Sequence, residues 1–264
     1  MDKVAVITGA TSGIGLACAL ELHRRGFRVY GIARHPREIP GITLVCADVS
    51  EPQSVAQAFD HILSAAGRID LLVNNAGFGI AGAIEFTPME QIKSQLDVNF
   101  FGAIHCIQAA LPHLRASQGR IINISSMSAV FSIPFQAAYS ASKWAINGLT
   151  FALANEVRAF GVSVCAVMPG DIHTGFTAQR QKELAGHEVY GKTIEKSIAV
   201  MERDEQNGAS PDTIGKYVGK IAVKKRVRPL YAVGFPYKLF AYANKLLPAA
   251  LVNWILHKMY VKTK

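Results

Sequence analysis

Cysteine, charge and long apolar runs are all scarce in this chain. Its four cysteines, Cys18, Cys46, Cys106 and Cys165, show no Cys-x-x-Cys spacing, which excludes a disulfide framework and a thiolate metal site and leaves them as expected core fillers. The eight histidines form no His-Glu-x-x-His pattern, so no metal is assigned. Only 18% of the 264 residues are charged while 50% are hydrophobic, a balance that excludes a disordered chain. The 22 glycines and 11 prolines follow no period, which excludes a collagen-like fibre. No stretch approaches the ~20 apolar residues of a bilayer span. Met1-Asp2-Lys3 leads directly into strand-like residues 4–7 without a signal-peptide pattern, so a cytoplasmic protein is expected.

What is present is a regular alternation. Apolar, β-branched runs at 4–7, 28–32, 43–47, 71–74, 120–124 and 162–168, with a further one at 230–233, are separated by amphipathic or Ala-rich helical segments. Such strands are buried on both faces, and right-handed crossovers distribute the helices to the two sides of a doubly wound parallel α/β sheet. No linker, low-complexity tract or fixed repeat interrupts it, so residues 1–264 are expected to form a single domain. The net charge of +9 is concentrated at one end: residues 211–264 hold eleven Lys/Arg and one acid, Asp212. Within that end, residues 235–264 are expected to form a helical tail, with Leu247, Leu251, Trp254 and Ile255 at helical spacing and Pro248 interrupting.

Between the first strand and the first helix lies Thr8-Gly9-Ala10-Thr11-Ser12-Gly13-Ile14-Gly15. Glycine permits a sharp turn and close ligand approach, and the N–H groups at a helix start suit a pyrophosphate. The spacing is Gly-x-x-x-Gly-x-Gly rather than the usual Gly-x-Gly-x-x-Gly. A cofactor with a free ribose 2′-hydroxyl calls for an acid at the end of the second strand. Ala33 stands there, followed by Arg34, whose guanidinium matches a 2′-phosphate and so favours NADP(H) over NAD; a solvated loop residue is the alternative. Asp48, ending the third strand beside Val49, would accept a bond from the adenine amino group or cap the helix beginning near Pro52.

Tyr139 and Lys143 stand four apart in an Ala-rich helical stretch, on one face. A phenol titrates near 10, so acid/base work near neutrality needs a downward shift of ~3 units, which a neighbouring cation can supply. Ser125-Ser126 follows the strand at 120–124, at the carboxyl edge where open α/β sheets bind ligands. With Thr8 to Gly15, Asn74-Asn75-Ala76-Gly77, Asn99, Ser126, Tyr139 to Lys143 and Pro169-Gly170 in order, the first 200 residues or so resemble the short-chain dehydrogenase/reductase family, with its Rossmann-like fold. The resemblance implies that Tyr139 is the general acid/base, that Lys143 lowers its pKa and holds the nicotinamide ribose, that Ser126 bonds the substrate oxygen and that Asn99 anchors a water in a proton relay. It further implies that Asn75, Ala76 and Gly77 line the centre of the cofactor, that Pro169, Gly170, Ile172 and Thr174 hold its carboxamide and phosphates, and that Ser12 and Arg34 share the 2′-phosphate. Ser126 is preferred to Ser125 because it stands 13 residues before Tyr139, the family's usual spacing.

Residues 175–207 are expected to cover the substrate. Phe176, Leu184, Val189, Tyr190, Ile194, Ile198, Val200 and Met201, with Phe78, Phe131 and Phe135, supply an apolar lining or further core. The resemblance to the 17β-hydroxysteroid/retinol dehydrogenase branch implies a lipophilic carbonyl or alcohol substrate of steroid, retinoid or acyl type. A catalytically idle dinucleotide-binding regulator on the same fold is the rival reading. Residues 186–193 satisfy Gly-x-x-x-x-Gly-Lys-Thr, but that phosphate loop must follow a strand, and residues 178–185 read as polar and helix-compatible. Lys224 to Arg228 lacks interleaved aromatics and a reading helix, so no nucleic-acid partner is expected. The tail is left as a lid, a subunit contact or a peripheral membrane contact. A homodimer or homotetramer is expected.

Overall fold

The apolar runs become strands because each is flanked by helices that need a surface to cover. The computed structural model describes residues 2–261. Its first half runs β1 (Val4–Thr8), α1 (Gly13–Arg24), β2 (Arg28–Ala33), β3 (Ile42–Cys46), α2 (Pro52–Ala66), β4 (Leu71–Asn74), β5 (Ile80–Gly82), α3 (Met89–Leu96) and α4 (Gly102–Ser117). There follow β6 (Arg120–Ile124), α5 (Ala137–Glu156), β7 (Ser163–Met168), α6 (Phe176–Gln179), β8 (Gln181–Glu183), α7 (His187–Tyr190) and α8 (Thr193–Gln206). The chain closes with α9 (Pro211–Ala222), β9 (Leu230–Ala232), α10 (Phe235–Ala243) and α11 (Ala249–Tyr260).

Seven strands form one sheet in the order β3-β2-β1-β4-β6-β7-β9, every neighbouring pair parallel. Side chains alternate between two cores. Val6, Leu72 and Ile121 pack against Phe59 and Ile62 of α2, Leu114 of α4 and Leu153 of α5. Ala5, Val73 and Ile122 pack against Leu22 of α1 and Ile214 and Val218 of α9. This is the expected doubly wound α/β sheet with helices on both faces. Strand order reverses between β1 and β4, so the chains leaving their carboxyl ends part and leave a crevice there.

Three expectations need correction. Cys18, Cys106 and Cys165 are core residues, and burial pushes their thiols up to about 12. Cys46 is exposed, because it ends β3, the edge strand of the sheet. Part of the polar stretch before Gly186 is a strand: β8 pairs with β5 in a separate two-stranded sheet. The Gly186–Thr193 pattern still makes no phosphate cradle, since the N–H groups of Val189, Tyr190 and Gly191 already donate to the carbonyls of Gly186 and His187 in the single turn of α7. In the tail, both helices form and Pro248 separates them, but the buried pair on α11 is Val252 and Leu256; Leu251, Trp254 and Ile255 are exposed. Among the described residues no helix is long and apolar enough to cross a membrane.

Candidate active site

The turn leaving β1 is shaped by steric limits. Gly9 (φ 65°) and Gly13 (φ 51°) adopt left-handed backbone that other residues avoid. Gly15, inside α1, lies so close to Gly9 that a β-carbon would collide with the Gly9 carbonyl oxygen and approach Asn75 Nδ2 to 2.5 Å. Thr8 locks the neighbouring loop by accepting from the N–H groups of Asn75 and Ala76, both at 2.9 Å, while Asn75 Nδ2 donates back to the Thr8 carbonyl at 3.0 Å. Ser12 precedes α1 in extended conformation without capping it, and the first turn carries no acid. The first N–H groups of the helix therefore keep the donors and the positive dipole end that suit a phosphate. Arg34 is exposed at the end of β2. Its neighbour Arg37 donates to the Thr11 carbonyl at 2.7 Å, tying a second guanidinium to the glycine turn. Asp48 neither caps α2, whose N-cap is Glu51, nor hangs free: its Oδ1 accepts from the Ser50 N–H at 2.9 Å and hydroxyl at 2.7 Å. This donor-rich, acid-poor turn fits a dinucleotide phosphate.

Tyr139, Lys143 and Ser126 meet at the carboxyl ends of β6 and β7. Lys143 Nζ lies 5.7 Å from the centroid of the Tyr139 ring and donates to the Ile124 carbonyl at 3.0 Å. Burial lowers the Lys143 ammonium to about 8. The Tyr139 phenol moves the other way from the expected shift. Burial pushes it up to about 12, against which Ser126 acts as a hydrogen-bonding neighbour and Arg180 as a cation, while the Glu205 carboxylate adds to the rise. Ser126 also accepts from the Ser128 N–H at 3.0 Å, which fixes its hydroxyl at the end of β6. Ser125, the rival serine, is buried and its hydroxyl lies 3.3 Å from the Lys143 carbonyl. Asn123-Ile124-Ser125, which matches a glycosylation acceptor, is buried, with Asn123 bonded to Asn74 and Thr150 at 2.9 Å each. Among the described residues no group of His, Cys, Asp and Glu is placed to hold a metal.

One cavity of about 1060 Å³ connects these features. Its walls include Gly9, Thr11, Ser12, Gly13, Ile14, Arg34, Asp48, Val49, Asn75, Ala76 and Gly77 towards the glycine turn, with Ser126, Tyr139, Lys143, Pro169, Gly170, Ile172 and Thr174. Two named residues stand behind the wall instead. Gly15 packs against Gly9 and Asn75 as described. Asn99, in the π-helical segment Asp97–Phe101, accepts from the Phe78 N–H at 2.9 Å and donates to the Phe78 carbonyl at 3.0 Å and to Ser142 at 3.2 Å. Its side chain therefore clamps the loop carrying Gly77, where a β-carbon would sit 2.9 Å from Asn99 Oδ1.

The apolar residues expected as lining or core divide between the two. Phe78, Phe131, Phe176 and Met201 reach the cavity. Ile194 and Ile198 instead form a small core with Ala81 and Ala83, flanked by Phe135 and Tyr190, because the buried stripe of α8 faces β5; Leu184 and Val189 are exposed. The missing wall comes from the tail: Leu239, Phe240, Leu247, Ile255, Leu256 and Met259 line the cavity. Asp171, Asp204 and Glu205 also line it and had no motif to announce them; only the position of Asp171 directly after Pro169-Gly170 was a signal.

Comparison with known proteins follows the same geometry. Residues 3–185 match the family model of the short chain dehydrogenases. A 3-ketodihydrosphingosine reductase of Bacteroides thetaiotaomicron is 41% identical over 98% of this chain and 98% of its own. A short-chain dehydrogenase of Streptomyces avermitilis superposes with a TM-score of 0.83 at 27% identity over 96% of both chains. ElxO, solved with NADP bound, does so at 0.76 and 25% identity over 90% of this chain and 100% of its own. The chain belongs to the short-chain dehydrogenase/reductase family, oxidoreductases whose fold binds a nicotinamide dinucleotide and whose substrates are carbonyls or alcohols.

Proposed function

We propose that this protein is an NADP(H)-dependent reductase of a long-chain ketone, with Tyr139 as the general acid/base. The observation that carries the reading is that Tyr139, Ser126 and Lys143 border the same cavity as the glycine turn and Arg34. The dinucleotide supplies the hydride when bound. Gly9 and Gly13 would hold its phosphates, Ser12 and Arg34 would share the 2′-phosphate, and Lys143 would hold the nicotinamide ribose. A phenol held at about 12 is protonated near neutrality, so Tyr139 is ready to donate its proton to the developing alkoxide while Ser126 hydrogen-bonds the same oxygen. Asn99 acts through Phe78, by holding the loop against the cofactor. The test is Y139F: turnover falls by roughly a hundredfold to ten-thousandfold while NADPH still binds, and a variant keeping most of its activity overturns the assignment.

For the substrate, the Bacteroides relative directs attention to a sphingoid ketone, a long chain with an amino group beside the carbonyl. The cavity has both halves of a match. Its apolar wall suits the chain, and Asp171, whose partner is the neutral Tyr237 hydroxyl, suits an ammonium, whereas Asp204 and Glu205 already pair with Arg203 and Arg180. Glu205 lies near enough to Tyr139 to raise its pKa, and all three carboxylates raise that of Tyr260, which burial first pushes to about 12. NADPH oxidation measured with 3-ketodihydrosphingosine, steroid ketones, retinal and acyl ketones should favour the first. Equal turnover of an analogue lacking the amine removes the carboxylates from the reading.

A further inference from the structure

We propose that the protein docks on an anionic lipid bilayer through α10 and α11, which places the mouth of its cavity against the membrane. None of the residues of α10 is buried, and Phe235, Tyr242 and Leu246 are 81%, 65% and 70% exposed. Trp254 of α11 is 57% exposed, with Lys258 Nζ 5.5 Å from its ring centroid. Contiguous apolar surface of this kind marks a contact site. At 9 and 12 residues the helices are too short to span a bilayer of ~20-residue thickness and suit its interface instead. Charge selects the occupant. From Phe235 to Tyr260 the chain carries Lys238, Lys245 and Lys258 and no acid, and all three lysines are exposed. A second copy would set these lysines against their own kind around the contact, whereas an anionic headgroup layer complements them. Trp254 and Tyr242 combine an apolar ring with a polar tip, as side chains at the headgroup level do. The patch is also continuous with the cavity: Leu239, Phe240, Leu247, Ile255 and Met259 are exposed at 37–56% and line it as well. A long-chain substrate would thus enter from lipid without crossing water.

Docking is read without any substrate, so its failure and that of the proposed reductase activity are separable. The full chain is floated with vesicles of phosphatidylcholine alone and of phosphatidylcholine mixed with phosphatidylglycerol. It is expected to float with the anionic vesicles, to be released as salt rises, and to remain in solution with the uncharged ones. Replacing Lys238, Lys245 and Lys258 by Gln lowers partitioning on the order of a hundredfold, since each cation near such a surface contributes roughly fivefold. L246E/W254E abolishes flotation while leaving the unfolding midpoint and NADPH oxidation with a small water-soluble ketone unchanged, because neither residue lines the cavity. The proposal is overturned by recovery in solution with both vesicle types, by equal binding to both, or by L246E/W254E floating as well as wild type. It is also overturned by a dimer that L246E/W254E dissociates in the absence of any vesicle binding.

Discussion

The glycine turn after β1 and the helices at the carboxyl end border the same cavity, but they are held in different ways. At the turn there is no spare volume. Gly9, Gly15, Thr8 and Asn75 occupy each other's contact distance, and Thr8 alone accepts two backbone N–H groups. At the tail, α10 rests on a few points: the Tyr237 hydroxyl donating to Asp171 at 2.7 Å, Asn244 donating to the Val130 carbonyl at 3.3 Å, and Phe240 edge-on to Phe131 at 6.3 Å. The role proposed for the turn, phosphate binding, calls for fixed donors, and it is built without slack. The role proposed for the tail, admitting a lipid, calls for give, and its wall is built from side chains that keep one face in solvent.

The sharpest break of this contrast is Y139F, expected to cost about 3–5 kcal/mol of transition-state stabilisation, read as kcat with NADPH affinity kept. Next comes G15A. The added methyl would collide with both the Gly9 carbonyl and Asn75 Nδ2, so a loss of roughly 1–3 kcal/mol is expected in denaturant unfolding, together with weaker NADPH binding. R34D should raise the KM for NADPH by roughly ten- to a hundredfold and leave that for NADH nearly unchanged; equal use of both cofactors by the wild type would remove the 2′-phosphate role. Lys143 gives a pH-dependent comparison. Its folded-state pKa lies near 8, below the usual 10.5, so the buried ammonium destabilises the fold below pH 8 and that penalty is relieved between 8 and 10.5. The stability advantage of K143M over wild type should therefore be largest below pH 8 and shrink towards 10.5. The smallest effect belongs to L246E/W254E, expected within about 0.5 kcal/mol of wild-type stability because both sites are exposed.

Legibility in the sequence follows the same division. The six runs from 4–7 to 162–168 and the one at 230–233 became seven parallel strands, because fully buried parallel strands carry a continuous apolar signal. That Gly9, Ser126, Tyr139 and Pro169 share one cavity was legible because tight loops and a Tyr/Lys pair on one helix face restrict residue type. Gly15, expected at the cofactor, and Asn99, expected to anchor a water, both stand behind the cavity wall, where they pack against and hold the loops that line it. The small pair β5 and β8 was missed, since three-residue strands leave no periodicity to detect. The source of the apolar wall was missed as well. Helical spacing reveals that Leu251 and Ile255 share a face, but not that Val252 and Leu256 turn inward, which depends on where the tail lands.

Where Tyr237 meets the loop after β7, a methyl group on Gly170 would fall inside the phenol ring, so that ring rests directly on the loop's backbone. The root of the tail is in effect a buttress for the strand end that completes the crevice. Cutting the chain before Phe235 would strip Asp171 of its hydroxyl donor and leave Gly170 uncovered, so a shortened protein made to remove a sticky appendage would lose the support of its own cavity floor.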